Sequence, residues 1–150
     1  MTHDENLKIL LIEDDPGHAR LVEKNLRRSN VMGEIIMLRD GQEAINYVFG
    51  DRDYARLDAP VLVLLDLNLP ILDGYQVLKR LKRDEQTKHI PVIILTTADD
   101  AREIDQCYEL GCNICITKPV DYEQFSDAIC KLGLFLAIMA VPPGRQDTYE

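Results

Sequence analysis

Basic residues are scarce in this chain: 17 Lys and Arg stand against 26 Asp and Glu among 150 residues, a formal net charge of −9. That shortage argues against nucleic-acid binding, which needs a basic footprint to displace counterions from phosphates. It argues equally against docking on an anionic membrane. Long apolar runs are missing too. No stretch reaches the roughly 18 residues of a membrane span; the most apolar segment, Leu132 to Val141, is about half that length. Met1 to Asn6 is polar and acidic, and the apolar stretch after it is too short for a secretory leader. A cytoplasmic location is therefore expected, with the four cysteines as reduced thiols. A second CxxC is absent. Cys112 and Cys115 form one, with Cys107 upstream, whereas a zinc site usually takes two pairs. A thioredoxin-like motif should open a helix, and this one enters a strand. Buried, inert cysteines are the expected reading. No repeat, low-complexity segment or linker is visible, so one domain is expected, with a core of about 7–141 and a short polar tail.

Short apolar runs alternate with amphipathic segments. Leu7 to Ile12 is nearly all apolar, as in a strand covered on both faces. Asp15-Pro16 then reads as an N-cap with Pro at the first helical position, opening a helix to about Ser29. Glu34 to Leu38 reads as a second strand, and Ala44 to Val48 belongs to a shorter helix. Val61 to Leu65 is an apolar strand followed by Asp66. Asn68, Pro70, Asp73 and Gly74 mark a turn, and Gly74 to Arg83 a helix with Val77, Leu78 and Leu81 inward. Pro91 to Leu95 is a fourth strand ending in Thr96-Thr97. Asp100 to Glu103 and Asp121 to Gln124 are capping-box signatures. Between them lie a helix stopping at Gly111 and a fifth strand, Asn113 to Thr117, ending at Lys118. A long last helix runs to about Ala140. Five strands alternating with five helices predict an α/β domain around a parallel sheet, flavodoxin-like in strand order 2-1-3-4-5, in three layers.

The polar residues sit at the carboxyl ends of these strands: Glu13, Asp14 and Asp15 after the first, Asp66 after the third, Thr96 and Thr97 after the fourth, Lys118 after the fifth. In an open parallel sheet those ends share one edge, where ligand sites form. Carboxylates gathered there repel: two unit charges about 4 Å apart cost on the order of 4 kcal/mol at an effective dielectric near 20. Protonation offsets this by raising a pKa; a divalent cation does so more fully, and oxygen-only donors suit Mg²⁺. A carboxylate beside such a cation, with a Lys and a hydroxyl nearby, is suited to phosphoryl transfer, where positioning and charge neutralisation carry most of the catalysis. Asp15 is explained by its cap role alone, and Thr97 is read as a neighbour pointing opposite to Thr96. His3, His18 and His89 read as solvated surface residues. Arg52, Arg56 and the basic run Lys79 to Arg83 read as solvated charges.

Four motifs taken together, Ile-Glu13-Asp14-Asp15-Pro, Leu-Leu-Asp66-Leu-Asn-Leu-Pro through Gly74, Ile-Leu-Thr96-Thr and Thr-Lys118-Pro119, resemble the receiver domain of two-component response regulators. The resemblance spans residues 7 to about 136. It implies that Asp66 accepts a phosphoryl group from the phosphohistidine of a sensor histidine kinase. It implies that Asp14, Asp66 and the backbone carbonyl of Asn68 ligate Mg²⁺, with Glu13 acting mostly through water. Thr96 would be the switch hydroxyl and Lys118 the partner of the phosphoryl group. The long loop before the third strand, the Ile-Thr-Lys-Pro-Val-Asp run and the apolar last helix ending in Pro-Pro are similar to the stand-alone regulators of cyanobacterial phytochromes, which implies a light-regulated kinase as partner. One position departs from the family's pattern: Cys115 stands where receivers usually carry an aromatic switch residue.

Leu134, Phe135, Leu136, Ile138, Met139 and Val141 wrap most of the way round a helix, whereas a surface helix buries one stripe. A homodimer through the helix 4–strand 5–helix 5 region is the expected use of the excess; folding back onto the same chain is the alternative. With no DNA-binding or catalytic domain in the sequence, output is expected through contact with a phosphotransfer or output protein. Two rival functions remain. A phosphorylation-independent interaction module would keep the fold. An aspartyl-phosphate phosphatase would need a second acid near Asp66, and Asn68 is an amide.

Overall fold

The computed structural model describes residues 7–50, 61–97, 100–118 and 121–138, apart from the side chains at 50, 122 and 134–138. Five parallel strands, β1 (Lys8–Ile12), β2 (Glu34–Leu38), β3 (Val61–Asp66), β4 (Val92–Thr96) and β5 (Ile114–Thr117), form one sheet in the order β2-β1-β3-β4-β5. Helices α1 (Pro16–Arg28), α2 (Gly41–Ile45), α3 (Gly74–Arg83), α4 (Ala101–Glu109) and α5 (Tyr122–Ile138) connect or follow them. The flavodoxin-like order expected from the strand pattern is the one observed. Register aligns the carboxyl ends: Ile12 lies beside Leu65, Asp66 beside Leu95, and Thr96 beside Thr117.

Between Lys8 at the start of β1 and the polar residues at their carboxyl ends, the central strands are apolar because both faces are covered. One face packs Val77, Leu78 and Leu81 of α3, with Ala44 and Ile45 of α2 and Cys107 of α4, against Leu10, Val63 and Ile94. The other packs Val22 and Leu26 of α1 with Phe125 and Ile129 of α5 against Ile9, Leu64 and Leu95. The α1–α5 seam carries a polar network. Buried Asn25 donates to the Leu21 carbonyl at 2.9 Å and accepts from Ser126 Oγ at 3.0 Å and Cys130 Sγ at 3.1 Å. A buried amide matched on both sides avoids the desolvation cost of an orphan.

The acidic excess has a structural share. Asp15, Asp40, Asp73 and Asp100 are the N-caps of α1 to α4. Asp121 accepts from the Gln124 amide at 3.4 Å at the start of α5. Each carboxylate meets orphan amides at the positive end of a helix.

Two expectations need correction, and the expected short second helix is present in a particular form. The reciprocal capping box closes at Asp73 and Gln76, not at Asp100: the Glu103 carboxylate is drawn away to accept from the Tyr75 hydroxyl at 3.2 Å. The second helix is one α-turn, Gly41–Ile45, running into a π-helical turn over Asn46–Gly50. Within the basic run of α3, Lys82 is not a solvated charge. Its Nζ donates to the Ile90 carbonyl at 2.6 Å and the Lys88 carbonyl at 3.0 Å, tying down the segment before β4. Arg80 stacks over the Phe49 ring at 4.0 Å. Arg52, Arg56 and His3 lie outside the described residues, as do the side chains of the apolar end of α5. Among the described residues no helix is long and apolar enough to cross a membrane.

Gly74 fixes how closely α3 approaches the end of β3. Its amide donates to the Leu67 carbonyl at 2.9 Å, and a Cβ there would lie 2.5 Å from both the Asp66 carbonyl oxygen and the Leu67 Cα. Neither backbone can yield without moving the Asp66 turn. Gly74→Ala should cost roughly 1–3 kcal/mol, in the range of overpacking, measured by urea unfolding. A loss under about 0.5 kcal/mol, the scatter of neutral surface changes, would show that the turn moves freely.

Candidate functional site

Each candidate side chain is delivered by the end of a strand. β1 runs into buried Glu13 and exposed Asp14; β3 ends on buried Asp66; β4 ends on fully buried Thr96; β5 runs into buried Lys118. The Glu13 amide donates to the Leu38 carbonyl of β2 at 2.9 Å, and the Lys118 amide to the Thr96 carbonyl of β4 at 2.6 Å, so both residues are pinned by the ladder.

Glu13, Asp14 and Asp66 each place one carboxylate oxygen within 4.8 Å of the others. Lys118 bridges two of them, with Nζ 2.6 Å from Glu13 Oε1 and 3.4 Å from Asp66 Oδ2. Glu13 Oε2 accepts from the Asp15 amide at 3.2 Å, so both its oxygens are engaged. Asp66 Oδ1 accepts from the Asn68 amide at 3.1 Å. Asp14 is the open member of the set. Burial pushes Glu13 up to about 7, against the pull of Lys118 and with the help of the Asp66 charge. One ammonium does not balance three close carboxylates. A compact set of oxygen donors with residual negative charge, from Glu13, Asp14 and Asp66, fits a hard divalent cation.

Thr96 and Thr97 separate as strand alternation requires. Thr96 is buried, while exposed Thr97 accepts from the Asn68 side-chain amide at 3.2 Å. Asp15 caps α1, accepting from the Gly17 amide at 2.8 Å and the His18 amide at 3.3 Å. His18 corrects the solvated reading. Its Nδ1 lies 3.9 Å from Glu13 and 3.7 Å from Asp15, and its ring meets Phe125 edge-on with centroids 5.5 Å apart. Phe125 also lies 5.8 Å from the Lys118 ammonium. His18 follows the N-cap Asp15 by three residues, at the start of α1, which was the signal available; nothing in the sequence announces Phe125, which depends on how α5 docks. Ile71 is a further feature missed: exposed, with φ of 70°, in the turn between β3 and α3 beside the groove that opens at Asp14. A β-branched residue in the left-handed region is strained.

Burial works against reactivity at the CxxC. Cys107, Cys112, Cys115 and Cys130 are free. Burial pushes Cys107 up to about 12 and Cys112 up to about 11, and Cys115 upward as well. Thiols so shifted are poor nucleophiles and metal ligands at neutral pH.

Residues 9–130 match the response regulator receiver domain. The chain belongs to the response regulator receiver family. Response regulator Rcp1 of Synechocystis is 41% identical over 110 residues, 73% of this chain and 75% of that protein. The Mn(2+)-bound form of Rcp1 superposes with a TM-score of 0.82, covering 90% of this receiver and 98% of that chain. A receiver domain from Rhodospirillum rubrum is 54% identical with a TM-score of 0.86, covering 93% and 99% of the two chains. The phosphorylated cyanobacterial phytochrome response regulator RcpA is 37% identical with a TM-score of 0.82, again over 93% and 99%. The receiver is thus similar to stand-alone regulators of cyanobacterial phytochromes, as its motifs suggested.

Glu13 gives the metal-free receiver a pH dependence of definite sign. The folded carboxyl holds its proton up to about pH 7, whereas its ordinary value is 4.5. The native state therefore binds more protons than the unfolded chain between those values, and stability falls as pH rises through that window. In EDTA, the urea midpoint should drop between about pH 4.5 and 7, a loss on the order of 3 kcal/mol. Glu13→Gln should flatten that stretch. An equal slope in the variant would assign the proton elsewhere.

Proposed function

We propose that this receiver accepts a phosphoryl group on Asp66 from the phosphohistidine of a sensor histidine kinase and acts as a switch or relay by protein contact. The observation that carries this reading is the lysine bridge: a buried Asp66 carboxylate 3.4 Å from Lys118 Nζ, with Glu13 and Asp14 within 4.8 Å. An Asp66 carboxylate oxygen attacks phosphorus, the P–N bond of the phosphohistidine breaks, and the imidazole leaves with the electron pair. The product is an acyl phosphate on Asp66, which water later hydrolyses. Lys118 would neutralise one phosphoryl oxygen, and the Thr96 hydroxyl, one strand over, would donate to another. Asp14, Asp66 and the Asn68 carbonyl would hold Mg²⁺, with Glu13 behind them because its oxygens are already bonded. When bound, the cation supplies charge neutralisation for transfer and hydrolysis alike. The likeness to Rcp1 and RcpA supports a phytochrome as the kinase, in a cytoplasmic setting, with a phosphotransfer or output protein downstream. A phosphorylation-independent module is the second reading, and Cys115 at the usual aromatic position is the observation in its favour.

Intact-mass spectrometry after incubation with acetyl phosphate and Mg²⁺ tests the first reading. The native chain should gain one phosphoryl mass, Asp66→Asn should gain none, and EDTA added beforehand should abolish the gain. No gain with acetyl phosphate or with a phosphorylated cognate kinase would leave the second reading standing.

We also propose that the receiver forms a homodimer through α4, β5 and α5, on the strength of the apolar residues at 134–141. Sedimentation at micromolar concentration, with and without phosphoryl donor, should show a dimer in at least one state. A monomer in both would remove the proposal.

A further inference from the structure

β5 is an edge strand, and an edge strand leaves main-chain donors without a neighbouring strand. One of these is met in an unusual way. The Cys115 amide donates to the Tyr108 hydroxyl at 3.0 Å, so a phenol from the last turn of α4 closes the sheet edge. The adjacent residue meets the same strand residue inside: Cys107, fully buried, lies in the core cluster against which Cys115 packs. Two neighbouring residues of α4 therefore grip one residue of β5, one from within the core and one from the surface.

Both ends of this grip lead to the acidic site. The cap of α4, Asp100, follows Thr96 by four residues, and Lys118 follows Cys115 by three. The Lys118 amide is bonded to the Thr96 carbonyl, so Thr96 and Lys118 cannot adjust independently. In the structure Lys118 Nζ lies closer to Glu13, at 2.6 Å, than to Asp66, at 3.4 Å. A phosphoryl group on Asp66 would draw the ammonium and the Thr96 hydroxyl toward it, shifting β5 and the start of α4. The two contacts differ in how they bear such a shift. The Cys107 contact is in the core. Tyr108 is 48% exposed, so water can replace each partner of its hydrogen bond at little net cost. The surface bond is the one that opens.

We propose that Tyr108 is a positioning residue: its hydroxyl latches β5 to α4 in the unphosphorylated receiver, and engagement of the phosphoryl group by Thr96 and Lys118 releases the Cys115 amide and the phenol to the surface. This rests on Asp66 being the acceptor. Removing the hydroxyl should then favour the released state, so Tyr108→Phe, which keeps the ring, should bind an acyl-phosphate mimic more tightly. A merely structural role would predict unchanged or weaker binding.

The test uses the full chain with Mg²⁺ and beryllofluoride. Fluorine NMR reports binding at Asp66, and hydrogen exchange read at single amides reports the latch. In the native protein, beryllofluoride should speed exchange of the Cys115 amide several-fold. Tyr108→Phe should exchange that amide fast without ligand and bind the mimic roughly two- to fivefold more tightly, the span expected for one modest hydrogen bond. Bound beryllofluoride with no change at Cys115, or a Tyr108→Phe variant matching the native protein in exchange and affinity, would overturn the latch and leave the Asp66 reading intact. No bound fluoride in the native protein would overturn both.

Discussion

Carboxylates crowded at the dry end of a hydrophobic sheet set the terms for everything around them. Glu13 and Asp66 are buried beside each other, with Asp14 at the mouth. Charges taken out of water must be paired or neutralised. Lys118 offers one positive charge and spends its short contact on Glu13. That leaves Asp66 with a longer contact and Asp14 facing solvent, so the site retains both negative charge and reach. A site balanced within the protein would have no use for a cation or a phosphoryl group; this one is under-neutralised on its open side.

The same residue type plays two parts in this chain, and the difference lies in what surrounds it. Asp15, Asp40, Asp73 and Asp100 spend their oxygens on helix amides. Their charge is absorbed by the backbone dipoles, and each explains itself locally. Asp66 closes a strand that is apolar at every preceding position, and its Oδ1 bond to the Asn68 amide leaves Oδ2 facing Lys118. The net charge of −9 is thus a poor guide to the site. Much of it is helix capping, and the informative acids are those carried by a buried strand.

What could be read from the sequence divides along the same line. Strands flanked by helices on both faces are continuous apolar runs, so β1, β3 and β4 were visible, and the residue after each run had to lie on the ligand edge. Motif spacing then supplied the family. Features missed depend on how helices dock. His18 against Phe125 requires the α1–α5 seam; Lys82 looks like any surface lysine until the Ile90 carbonyl is placed over it; the expected box at Asp100 fails because Tyr75, on another helix, takes the Glu103 carboxylate. Cys115 could be singled out as a departure from the usual aromatic, but the Tyr108 bond to its amide joins a helix end to an edge strand, a contact that no local spacing encodes.

The position of Lys118 also bears on how a small chemical event is enlarged. An ammonium held between two acids can move toward either with little change in its own burial, because both lie in the same dry pocket. Under the proposed function, a phosphoryl group on Asp66 would tip that balance by local charge alone. The displaced group is not a free side chain: its backbone is hydrogen-bonded to Thr96 and continuous with β5. Such a movement would therefore pass to the sheet edge instead of dissipating in solvent. β4, apolar and buried at every position up to Thr96, resists deformation, whereas β5 has half-buried side chains and one neighbouring strand. The compliant side of the site is the edge, and a partner of the proposed phosphorylated state would gain most by reading it there.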